Sequence, residues 1–183
     1  DYIFHLAAQP LVRASYEIPS ETFEVNAIGT ANLLDAIRFL DKKCNIVLIT
    51  TDKVYHNNEW DHPYKETDRL GGYDPYSASK VGTEAVVAAW QQISKTSGGP
   101  KVVSVRAGNV IGGGDICADR LIPELVNSYR SGLIPRLRAP NSVRPWQHVL
   151  DCLNGYLLLL DSVLSGNANG AWNFGPIESQ SRT

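Results

Sequence analysis

The chain has 183 residues, 43% hydrophobic and 20% charged, which gives it the apolar content and length for a full core. A net charge of −2 offers no basic excess to hold a phosphate backbone, so nucleic acid is excluded as a partner in favour of small molecules. The longest purely aliphatic run, Leu157 to Leu160, is far short of the ~20 residues of a membrane helix, and no membrane role is expected.

Tyr2-Ile3-Phe4-His5-Leu6 reads as the first strand, and Ala7, Ala8 and Gln9 leave its end. After Ile18-Pro19-Ser20 the pattern becomes helical, with Glu21 and Glu24 in the first turn and Phe23, Ala27, Thr30, Leu34 and Ile37 along one stripe. Ile46 to Ile49 is the second strand and runs into Thr50-Thr51-Asp52-Lys53. Tyr76 to about Ser94 is the second long helix, and Lys101 to Arg106 the third strand. This β-α-β-α-β order predicts an α/β fold with a parallel sheet. Past Gly112-Gly113-Gly114 follow a helix near Leu121 to Arg130, a loop rich in proline and arginine, a helix from His148 to Leu164 and a last strand in Ala171-Trp172-Asn173-Phe174-Gly175. The division expected is a main domain over 1–115 and a smaller region over 116–183, sharing an interface.

Ligands of open α/β sheets lie beyond the carboxyl ends of the strands, so Ala7 to Gln9, Thr50 to Lys53 and Arg106 to Asn109 should converge. In Asp74-Pro75-Tyr76-Ser77-Ala78-Ser79-Lys80, a tyrosine and a lysine stand four apart at a helix start and share one face. A cation within ~4–6 Å favours the phenolate, which would make Tyr76 a base near neutral pH. A lone Y-x-x-x-K is more often a surface pair. Here Thr51, at the preceding strand end, adds a hydroxyl able to orient the substrate hydroxyl that Tyr76 deprotonates.

The stretches H-L-A-A-Q, T-T-D-K-V-Y, Y-S-A-S-K, R-A-G-N-V-I-G-G-G-D, D-R-L-I-P and R-P-W-Q-H-V-L-D together resemble the extended short-chain dehydrogenase/reductase family, in correct order along essentially the whole chain. The resemblance implies a Rossmann-like doubly wound parallel sheet, a cytoplasmic enzyme, bound NAD, and pairing into a homodimer through the helices at about 20–40 and 76–94. Its dehydratase subgroup implies a nucleotide sugar, CDP-glucose or similar, as substrate. The family's glycine-rich phosphate-binding turn is not in this sequence, and Gly112-Gly113-Gly114, after the third strand, is no substitute. With no Met, an opening in mid-strand and a tail Ile-Glu-Ser-Gln-Ser-Arg-Thr after the last strand, the chain reads as a piece of a longer protein whose N-terminal part is missing.

By the same resemblance, Ala7, Ala8 and Gln9 line the cofactor with Tyr76 and Lys80. Tyr76 takes the C4 hydroxyl proton, Lys80 tunes it and holds the nicotinamide ribose, Thr51 orients the hydroxyl, and Asp52 is the acid at C6. Similar dehydratases carry glutamate where this chain has Lys53. Lys53 is either the C5 base, if desolvation keeps it neutral, or a charge that steadies the enolate. Asn109, Arg120 and Arg144 are the candidate diphosphate and sugar contacts, since an arginine fork matches phosphate geometry.

The remaining chemistry-bearing residues invite plainer readings. Cys44, Cys117 and Cys152 have no metal-ligand spacing and read as reduced packing thiols, with no metal site expected. His5 and His148 read as satisfied structural histidines, the four tryptophans as core or rim, and Arg136 and Arg138 as a solvated loop. An epimerase of the same family would share Tyr76 and Lys80 without needing Asp52 and Lys53. A dinucleotide-binding scaffold would need neither pair.

Overall fold

The computed structural model describes residues 1–60 and 62–176; the tail at 177–183 lies outside the described residues. Strands β1 (Tyr2–His5), β2 (Asn45–Thr51), β3 (Val102–Ala107) and β6 (Gly170–Phe174) form one parallel four-stranded sheet in the order β1-β2-β3-β6. The central strands β2 and β3 are buried on both faces, which is why they read as nearly continuous aliphatic runs.

Alternate side chains feed two cores. Ile46, Leu48 and Val102 pack under Leu34 and Ile37 of α3 (Gly29–Ile37) and Val87 of α4 (Pro75–Ser97). Val47, Val103 and Val105 pack on the other face under Tyr156, Leu159, Leu160 and Val163 of α6 (Val149–Leu164). Helices on both faces make the sheet doubly wound.

The long helix expected from about residue 20 is interrupted. A short α1 (Val12–Glu17) and α2 (Pro19–Phe23) lead into a π-helical turn over Glu24–Ile28 before α3 begins. At this turn the Asn26 carbonyl accepts hydroxyl bonds from Thr30 one turn on and from Thr83 of α4, which ties the turn to α4. Helix α4 starts as the sequence indicates, with Asp74 as N-cap accepting from the Ser77 N–H at 2.9 Å and Pro75 in the first turn. It stops at Gly98, whose φ of +64° suits the left-handed cap.

After β3 the chain makes β4 (Asn109–Ile111), which pairs in parallel with β5 (Trp146–His148) as a separate two-stranded sheet that the pattern did not reveal. Three-residue strands are too short to show periodicity. Between them lies α5 (Leu121–Arg130), and beyond them α6 and β6 return to the main sheet.

Candidate active site

Parallel register aligns the carboxyl ends of the strands, with Thr50 opposite Arg106 and Thr51 opposite Ala107. β1 stops level with Leu48, so Thr51 stands beyond the end of its neighbour. The chain then tightens into a 3-10 turn over Asp52–Val54, where the Thr51 hydroxyl accepts the Lys53 N–H at 3.3 Å. Asp52 and Lys53 form an ion pair at 3.7 Å with side chains 32% and 41% exposed. Lys53 is therefore only partly buried.

Tyr76 and Lys80 are both buried on the first turns of α4. The Tyr76 backbone N–H donates to Ser15 Oγ at 3.1 Å, which anchors α4 to α1. Burial pushes the Tyr76 phenol above its usual range; a hydrogen bond with the Thr51 side chain opposes this, Asp52 adds to it, and Arg120 opposes it. The Thr51 hydroxyl also points at Asp52 Oδ1, 3.1 Å away, so its single proton serves either neighbour.

The expected tuning of Tyr76 by Lys80 is not what this arrangement holds. Lys80 Nζ instead donates to the Ile49 carbonyl at 3.2 Å, and its own titration is pushed down to about 8, chiefly by burial, with the Glu84 charge acting upward. Sharing a helix face brought the residues close without directing the ammonium at the phenol.

Ala7, Ala8 and Gln9 leave β1 at the same edge. The Gln9 N–H donates to Asn26 Oδ1 at 2.8 Å, while Asn26 Nδ2 donates to the Gln9 carbonyl at 3.1 Å and to Ser79 Oγ at 2.8 Å. The π turn thus ties the β1 exit to α4 between Tyr76 and Lys80. His5 corrects an expectation: its Nε2 is buried without a hydrogen-bond partner, and burial and the Lys80 charge both lower its pKa. His148 does have a structural role, capping α6 by accepting the Leu150 N–H at 3.2 Å.

Asn109 Oδ1 and Arg120 Nε are likewise buried polar atoms without protein partners, a state that invites a ligand. Arg120 is at the N-cap of α5, following Asp119 in a left-handed conformation with φ +62° and ion-paired to Arg13. Arg144 differs: it is exposed and donates to the Val143 carbonyl at 2.8 Å. Nothing brings it to Tyr76. All three cysteines are free, but Cys117 is exposed and is not the packing thiol expected. Arg138 lies near Asp119 at 3.6 Å and Glu124 at 3.5 Å.

Sequence reasoning missed a buried pair beneath these strand ends. Arg106 Nη2 donates to Glu84 Oε2 at 2.8 Å, and the side chains are only 6% and 4% exposed. Glu84 also accepts from Thr50 Oγ1 at 2.5 Å and Ser104 Oγ at 3.0 Å. Arg106 Nη1 donates to the Tyr55 hydroxyl at 2.9 Å and the Glu66 carbonyl at 3.0 Å. The signal was present: a cation in a strand of valines must find a buried partner. Among the described residues, no cluster of three or more His, Cys, Asp or Glu could hold a metal ion, and no helix is long and apolar enough to cross a membrane.

A parallel sheet wound on both faces, with Tyr76 and Lys80 buried beyond its carboxyl edge, defines a Rossmann-like α/β protein. The chain belongs to the NAD dependent epimerase/dehydratase family, whose family model matches residues 1–175. It is 43% identical over 190 residues to CDP-glucose 4,6-dehydratase of Salmonella typhimurium, covering 100% of this chain and 53% of that protein. It is 31% identical over 193 residues to dTDP-glucose 4,6-dehydratase of Escherichia coli, covering 96% and 51%. The chain spans about half the length of these curated relatives. Among solved structures it resembles a double mutant of DesIV, a dTDP-glucose 4,6-dehydratase from Streptomyces venezuelae solved with NAD bound, at TM-score 0.83 and 28% identity, covering 96% and 52%.

Proposed function

We propose that the protein to which this chain belongs is a nucleotide-sugar 4,6-dehydratase that uses NAD and converts CDP-glucose to CDP-4-keto-6-deoxyglucose. The observation that carries the reading is the buried Tyr76 on the first turn of α4, close enough to the Thr51 side chain for that group to lower its pKa, with the Asp52–Lys53 pair on the adjoining turn. The 43% identity to a CDP-glucose enzyme supports cytosine as the base.

The residues present fit the nicotinamide end of the cofactor: small side chains leave β1 at Ala7 and Ala8, and the unpartnered His5 Nε2 and the Lys80 ammonium lie beside that exit. Ala7, Ala8, Gln9, Tyr76 and Lys80 would hold it. When bound, NAD would supply the hydride acceptor for oxidation at C4 and the hydride for C6. Tyr76 receives the C4 hydroxyl proton while Thr51 holds that hydroxyl. The resulting ketone acidifies C5: the Asp52 carboxylate takes the C5 proton and passes it to the C6 hydroxyl, which leaves as water. An ammonium 41% exposed and 3.7 Å from a carboxylate favours the electrostatic role of Lys53, steadying the enolate, over that of C5 base. Arg120 Nε can donate to the diphosphate, and Asn109 Oδ1 can accept from a sugar hydroxyl. Arg144 belongs to this set only if ligand binding draws it in.

Product analysis tests the reading. The whole protein incubated with CDP-glucose should yield a 4-keto-6-deoxy sugar with water lost, whereas a C4 epimer would make it an epimerase, and unchanged CDP-glucose with NAD retained would favour a scaffold. A homodimer through the exposed sides of the helical segment from α2 to α3 and of α4 completes the proposal, since Phe23, Val25 and Ile28 stand exposed there.

A further inference from the structure

The Glu84–Arg106 pair is the most enclosed ionic cluster described, and no step of the proposed chemistry uses it. Packing alone does not account for it, because apolar residues of similar volume fill such a space at equal or better stability. Its position is informative. Glu84 lies one turn beyond Lys80 on α4, and its two carboxylate oxygens hold different strands: Oε1 takes the Thr50 hydroxyl of β2, and Oε2 takes Arg106 and Ser104 of β3. Thr50 directly precedes Thr51 and stands in register with Arg106. On its far side, Arg106 reaches the Tyr55 hydroxyl, which itself donates to Asn173 of β6 at 2.6 Å. One carboxylate thus joins the helix carrying Tyr76 and Lys80 to the strand carrying Thr51.

We propose that Glu84, clamped by Arg106, is a positioning residue that fixes the depth and register of the Tyr76–Lys80 turn against Thr51 and keeps an anionic charge beneath the Lys80 ammonium. The inference rests on the roles given above to Tyr76, Lys80 and Thr51. The groups that face Lys80 are Glu84 from its own helix, His5 from β1 and the Ile49 carbonyl from β2. Those that face Glu84 are Thr50 from β2 and Ser104 and Arg106 from β3. Glu84 is the carboxylate whose charge favours the Lys80 ammonium, while His5, when protonated, opposes it.

The test uses the whole, NAD-loaded protein. The double variant Glu84→Gln/Arg106→Met removes both buried charges together, so neither is left unpaired. Expected are parent-like melting, kcat lowered roughly 10- to 100-fold with little change in KM, the scale of a misplacement of about 1 Å, and an alkaline limb of kcat displaced to lower pH. Glu84→Asp retains the charge on a shorter arm, and should lower kcat while leaving that limb in place. A double variant with parent kcat and an unmoved limb overturns the proposal. Should the double variant not fold, Glu84→Asp decides: parent kcat overturns the positioning role, and lowered kcat with parent melting supports it. Tyr76→Phe in parallel separates the two levels, because retained turnover there would refute the underlying reading and not the clamp.

Discussion

Tyr76 presents one reactive oxygen in an enclosed site, so Tyr76→Phe deletes that oxygen and keeps the packed ring. Turnover should fall by about 10²–10⁴-fold with the melting curve little changed, as read from steady-state rates and circular dichroism. Lys80 gives a pH prediction with a definite sign. Its folded-state titration, about 8, lies below the unfolded value of 10.5, so between these the folded chain binds fewer protons and stability rises with pH. Below about 8 the full burial penalty is present, on the order of 3 kcal/mol. Lys80→Met should therefore melt above the parent at neutral pH, with the gap closing toward pH 10.5, although the variant is inactive. At Lys53, if the charge steadies the enolate, Lys53→Ala should slow exchange of the C5 proton with deuterated water, and water loss with it, without abolishing exchange. Loss of exchange would make Lys53 the base.

Helix α4 carries Tyr76, Lys80 and Glu84 on successive turns, so its start sets where all three lie. Asp74 fixes that start by accepting both the Ser77 N–H, at 2.9 Å, and the Ser77 hydroxyl, at 2.6 Å. Asp74→Ala should destabilise the protein by about 1 kcal/mol in urea titrations. It should also reduce kcat more than it raises KM, because a frayed first turn releases the Tyr76 oxygen from Thr51. The π turn before α3 acts through the same helix, since Asn26 holds the Gln9 backbone on one side and Ser79 on the other.

For the whole molecule, two cores on opposite faces grip β2 and β3, and the strand ends inherit that rigidity. The exposed apolar side chains Phe23, Val25 and Ile28 lie outside both. If they meet a second copy, sedimentation of the whole protein should give twice the protomer mass, and Ile28→Glu should shift it toward monomer with its secondary structure kept. An unaltered mass for that variant would place any interface elsewhere.

The sequence by itself determined the α/β order, the strands at Ile46 to Ile49 and Lys101 to Arg106, and the start of α4 around Pro75. Those features follow from local periodicity and from proline at a helix start, which act within short stretches of chain. Tertiary structure alone decided which way side chains point and what they meet. The Lys80 ammonium turns to a strand carbonyl, His5 loses a partner for its Nε2, Arg144 stays on the surface, and Glu84 finds Arg106 across the helix–sheet interface. The contacts of Lys80 and Glu84 depend on residues distant in sequence whose approach is set by core packing, and burial, which supplies the largest part of the shifts at Tyr76 and Lys80, exists only once the cores have closed.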